Sequence, residues 1–345
     1  MTQLPTHPVF IISRTDAIGD VVLTLPLAGA LKEKFPDSKI IFLGRTYTQP
    51  VIRLSRNVDE FINWDDLKML NPAEMAARLK SFSADAILHV FPSQQIASAA
   101  RRAKIPQRIG TSHRLFHWWT CNHLIDFSRK NSELHEAQLN FKLLEPLGIT
   151  DIPSLKKIPA LYGLKIPESK INFNSLLQSE KFNLILHPRS SGSAREWGLE
   201  NFSQLIDLLP EKEFQIFVTG TTADAGSMEK FLPKHSSRIK NICGKFSLEE
   251  FIQFIQTADG LIAASTGPLH LAAASGKPAL GIYPPMKPIH PGRWAPLGEQ
   301  AAYLVKNKTC SECKNGSSCR CMVEITPEQV AAVVAGWRKN KFKIS

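Results

Sequence analysis

A chain of 345 residues is long enough for two domains with full cores, and its composition is that of an ordinary soluble globular protein. No apolar run approaches a membrane span, and the opening MTQLPTHPVFIIS has neither a basic n-region nor a small-residue cleavage site, so a cytoplasmic protein is expected. The formal charge of +11, from 42 Lys and Arg against 31 Asp and Glu, speaks about partners and not about fold.

In chain order, the apolar runs VFIIS (9–13), KIIFLG (39–44), AILHVF (86–91), NLILH (183–187), FQIFVTG (214–220), GLIAAS (260–265) and ALGIYP (279–284) read as strands. They are continuous and not alternating, as parallel strands covered on both faces must be. Helical patterns fill the gaps. Asn71 before Pro72 is an N-cap with proline at the first helical position. Ser247 with Glu250, and Thr326 with Gln329, have capping-box spacing. The segment Leu269 to Ser275 stops at Gly276. This alternation predicts a doubly wound α/β protein. It breaks once, over the proline-bearing stretch 151–181, read as a linker. The expected layout is a Rossmann-like domain over 1–150, the linker, a second Rossmann-like domain over 182–325, and a helix over 326–345 packing back toward the first domain. The two domains are expected to face a central cleft.

The basic excess is uneven. From Ala86 to Ile125 there is no acid, while Arg101, Arg102, Lys104, Arg108 and Arg114 fall there and Phe116, Trp118 and Trp119 follow closely. Basic residues beside exposed aromatics suit an anionic membrane surface or a phosphorylated lipid, or else form a solvated basic face over buried tryptophans. No nucleic-acid reader motif accompanies them. Four of the six cysteines cluster in CSECKNGSSCRC as Cys310, Cys313, Cys319 and Cys321. Their spacing departs from a zinc ribbon, so a structural zinc is the lesser reading and thiols under a loop the favoured one.

Ligands of doubly wound sheets sit beyond the carboxyl ends of the strands, where three polar turns fall. In STGPLH, Gly267 permits close backbone approach, Pro268 suits the first helical position, and the free amides with the helix dipole favour a phosphate. His270, one turn in, is a phosphate or sugar donor or a buried structural histidine. HPRSSGSAREW offers the hydroxyls of Ser190 and Ser191 and the cations Arg189 and Arg195. In RTDAIGD, Asp20 is either a general base for an attacking hydroxyl or a plain helix-start acid. No Asp-x-Asp pair is present to hold a divalent metal against a diphosphate.

The stretches RTDAIGDVVLTLPLAGALKEKFP, HEAQLNFKLLEPLGI (135–149), HPRSSGSAREWGLENFSQLIDLL and STGPLHLAAASGKPALGIYPPMKP, in this order, resemble glycosyltransferase family 9, the ADP-heptose:lipopolysaccharide heptosyltransferases. The resemblance implies a GT-B fold and an inverting, metal-independent transfer of heptose from ADP-heptose to a hydroxyl of the lipopolysaccharide inner core. No cofactor is required. It maps the general base to Asp20, donor phosphate contacts to Ser190, Ser191, Arg195, Thr266, Gly267 and His270, and a ribose contact to Asp224. It gives the basic run a use: Arg101, Arg102 and Arg108 would engage a Kdo–lipid A type acceptor, with Trp118 and Trp119 at the inner-membrane edge. A monomer, peripheral on the cytoplasmic face, is expected. One departure stands out. The family commonly reads Asp-Ser/Thr-Gly where this chain has Ser265-Thr266-Gly267. A UDP- or GDP-sugar donor, or a non-catalytic nucleotide or lipid A binding homologue, therefore stays open beside the main reading.

Overall fold

A computed structural model describes residues 4–129, 132–168, 171–190, 192, 194–307 and 319–343, with the backbone alone at 174. The chain divides into two compact units, Met1–Lys165 and Ile166–Ser345.

The first unit holds β1 (Val9–Ser13), β2 (Lys39–Gly44), β3 (Glu60–Asn63), β4 (Ala86–His89), β5 (Gln107–Thr111) and β6 (His123–Ile125), all parallel, in the order β3-β2-β1-β4-β5-β6. In the second unit β7 (Phe182–His187), β8 (Phe214–Val218), β9 (Ile239–Asn241), β10 (Gly260–Ala264), β11 (Ala279–Tyr283) and β12 (Ala301–Val305) repeat the plan in the order β12-β11-β10-β7-β8-β9. Each is a doubly wound α/β sheet. Ile11 lies between Ile41 and Ile87 in register, and Leu186 pairs with Ile262 and Val218, so the central strands carry the buried apolar layers of each unit.

The central strands are also pinned at their amino ends. The Asp85 carboxylate accepts the Val9 amide at 2.8 Å, tying β1 to the residue before β4, and Asp259 accepts the Asn183 amide at 2.7 Å, tying β7 to the residue before β10. In both units the two partners are 76 residues apart.

All seven predicted strands form. Asn71, Ser247 and Thr326 cap their helices as read, with reciprocal bonds to Glu74, Glu250 and Gln329. Gly276 ends the helix Gly267–Ala274 in a left-handed conformation at φ 76°.

The last helix, Pro327–Lys343, buries Val330 and Val334 in the second unit's core, its Trp337 stacks on Phe182, and Lys341 bonds Asp259 at 2.7 Å. Cys319 and Cys321 are buried in the same core, while Cys310 and Cys313 lie outside the described residues. No group of three or more His, Cys, Asp or Glu among the described residues is arranged to hold a metal ion.

Candidate functional site

In a sheet of this order the crevice opens where neighbouring crossovers diverge, between β1 and β4 in the first unit and between β7 and β10 in the second. The turns at those carboxyl ends are the ones that the sequence marks out.

After β1 the chain turns through Arg14 to Ala17 into the short helix Ile18–Val22, which carries Asp20 in its first turn. Arg14 is buried and each of its three nitrogens serves a different carboxylate. Its Nε donates to Asp16 at 2.7 Å, its Nη1 to Glu136 at 3.1 Å, and its Nη2 to Oδ1 of Asp20. Glu136 is fully buried at the start of the helix Glu136–Phe141 and also accepts from Arg129 at 2.9 Å. Arg129 in turn donates to the Val90 carbonyl beyond β4 at 3.0 Å and to Asn140 at 3.1 Å. Asn140 reaches Thr24, whose hydroxyl donates to the Asp20 carbonyl at 2.8 Å. The network thus closes on the residue it began with.

Asp20 keeps one oxygen in hand. Oδ1 is held by Arg14, while Oδ2 takes no hydrogen bond among the described residues, and the side chain remains 20% exposed. Burial pushes the Asp20 carboxyl up to about 6; Arg14 pulls against that, and the neighbouring charges of Asp16 and Glu136 add to it. On Arg14 burial opposes the charge, but the three carboxylates together hold its pKa above the ordinary arginine value. A carboxylate ionised at neutral pH yet unusually ready to take a proton is what a general base requires.

In the second unit, HPRSSGSAREW follows β7. Glu196 organises this turn. It pairs with Arg189 at 2.8 Å and accepts from the Ser190 amide at 2.9 Å and the Ser190 hydroxyl at 3.1 Å. Ser190 also donates to the Ala194 carbonyl at 2.9 Å. These bonds place the Ser190 hydroxyl within the turn's own network. Ser191 lies outside the described residues. Arg195 forms no ion pair among the described residues, and its buried Nε has no hydrogen-bond partner.

Beyond β10, Thr266 occupies the N-cap of the helix Gly267–Ala274 without capping it; its buried Oγ1 has no hydrogen-bond partner among the described residues. The first-turn amides of Gly267 and Leu269 have no intrahelical acceptor, and Pro268 between them carries no amide hydrogen. An uncapped start with an orphaned hydroxyl beside it fits an anion. His270 is buried on the same helix.

Asp224 reciprocates the Thr221 capping box, its Oδ2 accepting the Thr221 amide and hydroxyl at 2.8 Å each at the start of the helix Thr222–Ser227. Nearby His187 bonds Thr219 at 2.9 Å, and burial lowers its pKa to about 4, leaving it neutral.

The basic run divides. Arg108 is half-buried and donates its guanidinium to the carbonyls of Thr120 and Ile105. Arg101, Arg102 and Arg114 are exposed. Trp118 and Trp119, on the short helix His117–Thr120, are 63% and 52% exposed, and Leu115 is 79% exposed. The tryptophans are thus surface groups and not core. Arg14, Glu136, Arg129 and Glu196 went unread in the sequence. The available signals were an arginine opening the polar turn after β1 and an acid heading the apolar helix HEAQLNF.

Two parallel doubly wound units, one presenting a carboxylate held by a buried arginine and the other an uncapped helix start and an arginine with no ion pair among the described residues, match the plan of a GT-B glycosyltransferase. The sequence profile of glycosyltransferase family 9 (heptosyltransferase) matches residues 73–322, and the chain belongs to that family. Lipopolysaccharide heptosyltransferase 3 of Escherichia coli is 24% identical over 280 residues, 77% of this chain and 79% of its own length. Among solved structures, ADP-heptose lps heptosyltransferase II of E. coli superposes with a TM-score of 0.74 at 17% identity, covering 97% of this chain and 99% of its own. A family 9 glycosyl transferase from Veillonella parvula gives 0.77 at 20% identity, covering 96% and 97%. These two structures share the fold.

Proposed function

We propose that the chain is an inverting, metal-independent heptosyltransferase of lipopolysaccharide core assembly, moving heptose from ADP-heptose to an inner-core hydroxyl with Asp20 as general base. The observation that carries this reading is the Asp20 carboxylate, one oxygen held by buried Arg14 and the other unbonded among the described residues. The acceptor oxygen attacks the anomeric carbon as the bond from that carbon to the diphosphate oxygen breaks, and the acceptor proton passes to Oδ2 of Asp20. ADP leaves with the bonding pair. Its developing charge falls to the amides of Gly267 and Leu269, the Thr266 hydroxyl and Arg195, with His270 on the same helix. Relatives named as lipopolysaccharide heptosyltransferases support the substrate class.

The exposed Leu115, Trp118 and Trp119, with Arg101, Arg102 and Arg114, provide the surface for the anionic acceptor and the membrane that bears it. No helix among the described residues is long and apolar enough to cross a membrane, so attachment on this reading is peripheral.

A second donor has one observation in its favour. Ser265 stands where the family resemblance places an acid. Nucleotide release from ADP-heptose, UDP-sugars and GDP-sugars, with Kdo–lipid A or heptosylated acceptor, tests both. Release from ADP-heptose alone is the expected result. Release from another donor keeps fold and base but moves the substrate, and tight ADP binding with no release from any donor marks a non-catalytic homologue.

A further inference from the structure

The Arg129–Glu136–Arg14 chain is a costly thing to bury. Ion pairs taken out of water seldom repay their desolvation in stability, and an apolar cluster of the same volume usually serves a core as well. Here Glu136 is fully buried and Arg14 nearly so, yet Arg14 gives each nitrogen to a separate carboxylate and makes no paired contact with any one of them. That is a geometry for aiming a group. Glu136 takes Nη1 from one side, Asp16 takes Nε from the other, and the remaining Nη2 is thereby directed at Oδ1 of Asp20. Arg129 anchors Glu136 to the carbonyl beyond β4, so the aim is referred to the central strand pair.

We infer that Arg14 and Glu136 are positioning residues, fixing the Asp20 carboxylate with Oδ1 held and Oδ2 free for the acceptor's proton, an inference that rests on Asp20 being the base. Glu136 has a second effect. Its charge, with that of Asp16, offsets Arg14, which alone would draw Asp20 down into the range of a weak base. The groups facing Asp20 are Arg14 and Asp16 from its own turn, Glu136 from the helix Glu136–Phe141, and Tyr47 from beyond β2. The Tyr47 hydroxyl donates to the Asp16 carbonyl at 2.6 Å, and burial raises its own pKa out of the working range.

The test is the pH profile of kcat/KM for ADP release by Glu136→Gln, Asp16→Asn and Arg14→Lys, with thermal unfolding and ADP binding measured alongside. Glu136→Gln is expected to lower kcat about tenfold or more and to move the acid limb down by about half a pH unit, with ADP binding within about twofold of the parent. Asp16→Asn, at the exposed edge, moves the limb the same way and serves if Glu136→Gln does not fold. Arg14→Lys loosens the hold on Oδ1 and moves the limb up. Acid limbs that stay in place while activity falls only with thermal stability overturn the inference. Asp20→Asn separates the two levels. If it turns over normally, the base assignment itself is wrong; if it is inactive while the other limbs do not move, only the positioning role fails.

Discussion

The turn after β1 and the turn after β7 stand at equivalent places in two sheets of the same order, and their charges are arranged in opposite senses. In the first, an arginine is buried and three acids surround it, leaving Asp20 with a free oxygen. In the second, an acid is the organiser. Glu196 collects Arg189 and Ser190, leaving Arg195 without an ion pair among the described residues. On the proposed reading, one backbone plan yields a base in one unit and an anion site in the other, and the deciding residue in each turn is the one that gathers the others inward.

The sharpest way to break this contrast is Asp20→Asn. ADP release should fall by at least about a hundredfold while ADP binding, which the proposed function assigns to the other unit, stays unchanged by calorimetry. Arg195→Gln inverts the pattern. It should weaken ADP binding about ten- to a hundredfold, as expected for losing a hydrogen bond to a charged group, without moving the acid limb of the pH profile. Replacing both Trp118 and Trp119 by alanine should lower binding to vesicles of anionic phospholipid about tenfold, with activity on a soluble truncated acceptor retained.

The mildest effect concerns stability. The Asp20 pKa is raised above its unfolded value, to about 6, so the folded chain keeps a proton that the unfolded chain releases near pH 4. Stability from this site is complete below about pH 4 and lost as the pH rises through about 6. Asp20→Asn should flatten that slope, a change of roughly a few degrees in Tm across the window, read by thermal unfolding at pH 4 to 7.

Much of the architecture was legible because the interior strands are uninterrupted apolar runs. The strands missed were β3, β5, β6, β9 and β12. Four of them are sheet edges, short and part exposed, as in the His123–Ile125 run, where no residue is fully buried. The fifth, β5, is disguised by Gln107, Arg108 and Thr111. At the site, Asp20, Thr266 and Gly267 announce themselves locally, as a carboxylate in a strand-end turn and as an uncapped helix start. Glu136 does not, for it joins Arg14 across 122 residues of sequence, and nothing in a single turn reports a partner so distant. Ser190 and Asp224 also bond neighbours a few residues away, Glu196 and Thr221, contacts that a motif read as a string of donors overlooks.

The aspartates that fasten β1 to β4 and β7 to β10 at their amino ends have a consequence for how such a molecule can diversify. Register is settled at the rim opposite the chemistry, by one carboxylate and one amide in each unit. The rim carrying Asp20, Arg195 and Thr266 is left to loops whose length and residues can change without sliding a strand. New donors and acceptors can then be explored by rewriting turns alone, on a frame that is fastened elsewhere.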